Sequence, residues 1–266
     1  MAFFQNPGLL LTAAENGDAA AVAGYLQNKK QWAKHKEKHT GETALHKAAR
    51  KGDIAIMKLL LAAGADPNAW NEAYETALHC AASSGKAEAV ELILGADPAT
   101  AHRINTKAGS FTVLQRAIMS GSAEALTVLL QTGKADLNAD NPPALFFAVR
   151  SRQEDCVRAL LDSGAGTDVP HKPEPRRSSN WRYDYEDSPK QSPLNEAVKL
   201  NETNIALMLL EKGAKELPHE RLLQMTALNG NRALAAELVA LGRDINQRDD
   251  ELMTPLHYAA QKNDAG

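Results

Sequence analysis

Apolar residues recur along this chain in short blocks whose order hardly changes. A phrase of the form Thr-x-Leu-His opens three of them, at Thr43-Ala-Leu-His46, Thr76-Ala-Leu-His79 and Thr254-Pro-Leu-His257, and a short alanine-rich run follows each. The first two copies are 33 residues apart. After the opening block comes a turn, then a second apolar block that ends on a pair of large aliphatic residues, then a glycine. Gly52, Leu60-Leu61 and Gly64 set this frame, 12 residues from turn to turn with the apolar pair at offsets 8 and 9. It repeats as Gly121, Leu129-Leu130, Gly133; as Arg152, Leu160-Leu161, Gly164; as Asn201, Leu209-Leu210, Gly213; and as Gly230, Leu238-Val239, Gly242. Two short apolar segments joined by a tight turn predict a helix-turn-helix unit, and its recurrence predicts an array of such units. One unit buries too little apolar surface to stand alone, so cohesion lies between neighbours.

Anchored on the leucine of the opening phrase, the units fall at Leu45, Leu78, Leu114, Leu145, Leu194, Leu223 and Leu256, with a divergent one before them around Leu10. The spacings are 33, 36, 31, 49, 29 and 33 residues. Thr43, Thr76 and Thr254 stand where a helix begins, where a hydroxyl accepts from an otherwise unpaired backbone N–H. His46, His79 and His257 follow in the first turn, within reach of that cap and of the neighbouring loop. Gly52, Gly85, Gly121 and Gly230 close the first helix where a left-handed residue is required. Asp53 then caps the second helix.

Departures from the frame carry predictions of their own. Gly85 to Gly95 spans 10 residues, and Gly95 to Thr112 spans 17 where Gly64 to Thr76 spans 12. This predicts a shortened second helix followed by a lengthened hairpin. Pro142-Pro143 replaces the usual turn, and Arg152 and Asn201 stand at places elsewhere given to glycine, which marks their units as the less stable ones. The 49-residue spacing holds 16 residues beyond a 33-residue repeat, all between Gly164 and Ser192. The chain ends at Gly266, one helix into its last unit, and reads as the front part of a longer array.

This pattern resembles the ankyrin-repeat family, whose units run approximately Thr-Pro-Leu-His-x-Ala-Ala, Gly, Leu-Leu-x-x-Gly-Ala-Asp-x-Asn. The nearest copy is Thr43-Ala-Leu-His-Lys-Ala-Ala49, Gly52-Asp53, Leu60-Leu61 and Gly64-Ala-Asp-Pro-Asn68; Gly242-Arg-Asp-Ile-Asn246 and Ser192-Pro-Leu-Asn195 are fainter ones. The resemblance implies an all-α solenoid of stacked helix-turn-helix units with projecting β-hairpin loops. It gives a divergent first repeat over residues 1–37, about four repeats over 38–168, an inserted loop over 169–190, two repeats over 191–248 and a truncated last repeat over 249–266.

Charge and composition narrow the function. Thirty Lys and Arg face 33 Asp and Glu, a net charge of −3, without the basic excess of a nucleic-acid binder. Two cysteines, Cys80 and Cys156, sit in alanine- and leucine-rich segments and read as small buried hydrophobes in a reducing compartment, which predicts a cytoplasmic or nuclear protein. Residues 1–11 lack the basic start of a signal peptide. No apolar stretch approaches the roughly 18 residues of a membrane span. The phrase histidines recur one repeat apart, so they do not converge on a metal. Cys80 and His79 are neighbours that diverge by about 100° on a helix and do not form a thiol and base pair. No phosphate-binding glycine loop, HExxH or GxSxG occurs. The sequence predicts no catalytic, cofactor or metal site.

Two candidate surfaces remain. The insertion holds prolines, a basic stretch over residues 171–177 and Trp181-Arg-Tyr-Asp-Tyr-Glu-Asp187, in which Trp181, Tyr183 and Tyr185 would share one face of an extended strand. They are candidate anchors for a partner; alternatively they fold back onto the array. Ser178, Ser179 and Ser188 stand in weak phosphorylation motifs. The resemblance also points to the hairpin tips and the exposed ends of the first helices, held here by Glu42, Arg50, Lys51, Tyr74, Glu75, Phe111, Met119, Phe146, Arg150 and Lys199. Arg50, Lys51, Arg150 and Lys199 would line one rim and suit an acidic stretch of a partner. The expected function is a monomeric, non-enzymatic scaffold or adaptor that binds another protein. The alternatives are a targeting arm of a larger enzyme with catalysis encoded beyond Gly266, and a structural linker with many more repeats.

Overall fold

Alanine-rich segments with a threonine before them and a glycine behind fold into short helices, because both ends are satisfied locally. The computed structural model describes residues 6–138, 142–171, 191–217 and 220–262. They form fifteen α-helices and one two-stranded β-hairpin, in two compact units, Met1–Asp136 and Leu137–Gly266. In the first unit the helices are α1 (Gly8–Asn16), α2 (Ala19–Asn28), α3 (Ala44–Lys51), α4 (Ile54–Ala62), α5 (Ala77–Ser84), α6 (Ala87–Ala96), α7 (Val113–Ser120) and α8 (Ala123–Gln131). First helices pack in the series α1, α3, α5, α7 and second helices in the series α2, α4, α6, α8. The second unit continues with α9 (Ala144–Arg150), α10 (Glu154–Asp162), α11 (Pro193–Lys199), α12 (Thr203–Glu211), α13 (Leu222–Asn229), α14 (Arg232–Ala240) and α15 (Pro255–Gln261). Its first helices pack as α9, α11, α13, α15 and its second helices as α10, α12, α14.

The phrase leucines form the spine of this packing. Leu45, Leu78, Leu114, Leu145, Leu194 and Leu223 are buried, whereas Leu256 is 76% exposed, since among the described residues no first helix follows α15. Gly52, Gly85, Gly121 and Gly230 close their helices in the left-handed region, as expected. Arg152 and Asn201 adopt the same conformation at φ 57° and 59° despite carrying a Cβ, which is disfavoured. The Asp53 carboxylate caps α4 by accepting from Ile56 N.

In three repeats the residue after the phrase leucine bonds to the loop that follows. His46 Nδ1 accepts from Thr43 N at 3.2 Å, while Nε2 lies 3.1 Å from Glu75 O. His79 repeats this with Thr76 N and Thr106 O, at 3.2 and 3.1 Å. Because Nδ1 accepts, the proton sits on Nε2 and points at the carbonyl. Gln224 does the second task with its amide, donating to Gln247 O at 2.9 Å. Between these, Glu220 reverses the direction: from the loop after α12 it accepts from Ser192 N and Ser192 Oγ at 2.7 and 2.9 Å.

One expectation fails. Gly95 does not end a shortened helix; α6 runs to Ala96 and has 10 residues against 9 in α4. Termination comes from Asp97-Pro98, because proline excludes the helical conformation for the residue before it, and Asp97 is extended at φ −153°, ψ 125°. The following loop is lengthened as expected. It holds a 3-10 helix over Pro98–Arg103 and the hairpin of β1 (Lys107–Ala108) and β2 (Phe111–Thr112). The insertion leaves from His171 and returns at Gln191, which pair antiparallel through two backbone hydrogen bonds of 2.9 Å.

Candidate partner-binding surface

In the first unit, the tips of two neighbouring repeats are joined by one main-chain and one side-chain bond. Glu72 N donates to Thr40 O at 2.9 Å, and Lys36 Nζ donates to Trp70 O at 2.7 Å. The Arg103 guanidinium lies over the Trp70 ring, 5.4 Å from its centroid. Tyr74, at the tip, is 70% exposed; Met119, in the last turn of α7, is 51% exposed; and Lys51 is exposed at the end of α3.

Behind the tips the charges are already matched. Arg50 bonds both Glu42 and Glu75, and Glu75 also receives Arg116 at 2.9 Å. Lys47 reaches Glu15 at 3.1 Å and Glu42 at 3.5 Å. Burial alone would raise the Glu42 pKa, but the hydrogen bond and charge of Arg50, with Lys47 beside it, outweigh burial and hold the carboxyl below the ordinary range. One expectation is corrected here: Glu42 is a buried brace and not an exposed tip residue. Arg50 is exposed and bonds carboxylates of its own repeat and the next. Glu75 is half-buried in the same chain of charges. Phe111 is half-buried in β2 under the Arg116 guanidinium, 5.5 Å away.

In the second unit, Arg150 is exposed at the end of α9 with its Nε 3.8 Å from Glu196, and Lys199 is exposed at the end of α11. Phe146 is a second correction. It stands at the histidine position of its repeat, is 1% exposed, and packs on the His171 ring at 4.6 Å between centroids. There it joins the repeat to the following loop by ring contact and offers nothing to a partner. Trp181, Tyr183 and Tyr185 lie outside the described residues.

The buried polar residues have structural environments. Burial pushes the His79 pKa down to about 4 against the opposing pull of the Thr106 carbonyl, and lowers that of His46 in the same way. Burial pushes the Cys80 thiol up to about 12, although the Arg50 guanidinium lies 3.5 Å from its sulfur. A thiol so protonated is a poor nucleophile. Among the described residues no group of three His, Cys, Asp or Glu is placed to hold a metal ion, and no helix is long and apolar enough to cross a membrane. Sequence reasoning missed Trp70 and Arg103 and read the basic run of Lys34, Lys36 and Lys38 as a solvated connector; only the fold brings Lys36 against Trp70.

Fold and surface together define a helical repeat protein whose shared residues are buried and whose varied residues stand at the tips. A family model for ankyrin repeats in three copies matches residues 10–102 and 99–172. The chain is 34% identical over 153 residues to a putative ankyrin repeat protein, FPV014, of fowlpox virus (strain NVSL), covering 56% of this chain and 32% of that protein. The ankyrin repeat domain of human ASB11 has a TM-score of 0.61 at 20% identity, covering 95% of this chain and 92% of that one. The ankyrin repeat domain of Bcl-3, a unique member of the IkappaB protein family, also has a TM-score of 0.61, at 21% identity, covering 94% and 93%. The chain belongs to the ankyrin-repeat family. It spans about a third of the length of its fowlpox virus relative.

Proposed function

We propose that this chain is a non-enzymatic adaptor that holds a partner protein on its hairpin tips and on the exposed ends of its first helices. Ankyrin repeats are protein–protein interaction modules. One observation carries the reading further for this chain: the residues common to its repeats are consumed in buried bonds between repeats, while Lys51, Tyr74 and Met119 in the first unit, and Arg150 and Lys199 in the second, are exposed. The reading includes Trp181, Tyr183 and Tyr185, on the strength of their alternation in the sequence. It places the protein in the cytoplasm or nucleus, supported by the two cysteines, Cys80 and Cys156, which are buried and not joined in a disulfide.

Photo-crosslinking tests this. A crosslinking amino acid placed singly at Lys51, Met119, Arg150 or Lys199 is expected to trap a partner from the native source, and one placed at Lys58 or Glu91 on the second helices is not. Crosslinks from the second helices alone would overturn the proposal.

A further inference from the structure

Among the described second helices, α2 alone carries no charge. Residues Ala19–Asn28 include no Asp, Glu, Lys or Arg, whereas each second helix from α4 to α14 holds at least one. Val22 and Leu26 form its core side, and it packs against α1, α4 and a 3-10 helix over Lys30–Lys34. Ala20, Gly24, Gln27 and Asn28 are exposed. Along this uncharged side runs an open groove of about 570 Å³, lined among the described residues by Ala21, Gly24, Tyr25, Asn28, Lys29 and Trp32. Ala21, Tyr25 and Asn28 lie on successive turns, so the groove follows the helix axis. Its wall is aromatic: half-buried Tyr25 and buried Trp32 hold their ring centroids 6.0 Å apart. A Cβ on Gly24 would meet nothing within 4 Å, so another backbone can come close there.

Charge is one-sided at the carboxyl end of the groove. Residues 19–36 hold four lysines and no Asp or Glu. Lys29 lines the groove, and Lys30 and Lys34 are exposed on the 3-10 helix that carries Trp32. Among the described residues none of these three is in an ion pair; the fourth, Lys36, bonds Trp70 O. Carboxylates of the flanking segments are engaged elsewhere. Asp18 caps the opposite end of α2 by accepting from Ala21 N at 2.9 Å. Glu15 is bonded by Lys47 at 3.1 Å, and Glu37 by Thr40 at 2.6 Å and Lys47 at 3.7 Å. Asp53 and Asp66, at the two ends of α4, accept from Ile56 N and Asn68 N.

We propose that this groove seats an amphipathic helix of a partner protein, antiparallel to α2, whose aliphatic side chains pack on Tyr25 and Trp32 and whose acidic first turn meets Lys29, Lys30 and Lys34. Carboxylates are favoured in the first turn of a helix, and the antiparallel direction sets that turn beside the lysines. Charge gives orientation and on-rate, and the aromatic wall gives the anchor. That wall is recessed, with Trp32 only 8% exposed, so an inserted side chain reaches it and a flat lipid surface does not. The site goes beyond the hairpin tips and uses a different face of the first unit.

The test is fluorescence anisotropy of the full chain with fluorescein-labelled, alanine-based helical peptides. The first has glutamates in its opening turn and leucines at every fourth position; the second replaces the leucines by serine, and the third the glutamates by lysine. The first is expected to bind about tenfold more tightly than either of the others, and less tightly as salt is raised. Gly24→Glu places a charged side chain in the groove and should lower that affinity about tenfold without lowering the thermal midpoint, because glutamate is the better helix former. Gly24→Ala should keep the affinity. Joint replacement Lys30→Glu and Lys34→Glu should weaken the first peptide and strengthen the third. Equal binding of the three peptides overturns the proposal, as does undiminished binding by Gly24→Glu. Binding seen only after deletion of residues 1–5 would make the chain's own start the occupant, and lysine-dependent sedimentation with phosphatidylserine vesicles without peptide binding would make it a membrane surface; either overturns the proposal. If crosslinks from Lys51 and Met119 persist while the peptides fail, only this assignment falls.

Discussion

His79 shows how one side chain can hold two repeats at once. Its ring is buried, accepts from Thr76 N and donates to Thr106 O, so leucine in its place would orphan both groups, at a cost of about 1–3 kcal/mol each. Its pKa, lowered to about 4 by burial, also sets a pH dependence. The unfolded chain titrates this histidine near 6.5, so between about 6.5 and 4 the unfolded state binds the extra proton and stability falls as pH falls. The loss amounts to roughly 3 kcal/mol for this residue, with His46 acting in the same direction. Glu42, whose carboxyl is lowered, adds a further loss below about 4.5. Urea unfolding of His79→Gln should show a shallower slope across that window, because an amide keeps both bonds, as Gln224 does in part; an unchanged slope would place the titration elsewhere. The histidine role was legible in the sequence from its place behind the threonine. The burial of Phe146 and Glu42 was not, because a tip position says nothing of whether the next loop closes over it.

At the scale of elements, local signals were readable and competing ones were not. The glycine frame located the first-helix ends from α3 to α13, including those at Arg152 and Asn201, since backbone handedness is a local property. It failed at Gly95, where a glycine inside a helix looked like a terminator and the proline two residues beyond its last turn did the terminating. The insertion was legible in its position but not in its attachment. Asp168 accepts from Lys215 N at 3.0 Å, and His171 pairs with Gln191, so both ends are fixed to the second unit. Replacing residues 172–190 by a short turn should therefore keep stability within about 1 kcal/mol of the parent, since shortening a closed loop changes its entropy only logarithmically. The same excision is expected to weaken partner capture; a large loss of stability, or capture that is undiminished, would contradict the respective half of this account.

For the whole molecule, the division of labour is between what repeats and what varies. The Thr-x-Leu-His phrase looked like a candidate for chemistry and is consumed in capping and joining, which is why its periodicity announced the fold and left the partner unnamed. Surface at the tips varies from repeat to repeat and has no period to read; Tyr74 and Leu252 emerge only from their φ angles and exposure. The most direct test of this separation measures, for His79→Leu and Tyr74→Gly side by side, the thermal midpoint and the capture of a partner by the folded fraction through a crosslinking amino acid at Met119. The account predicts a lowered midpoint with parental capture for His79→Leu, and a parental or raised midpoint with weakened capture for Tyr74→Gly. Equal losses of both properties in both variants would contradict it.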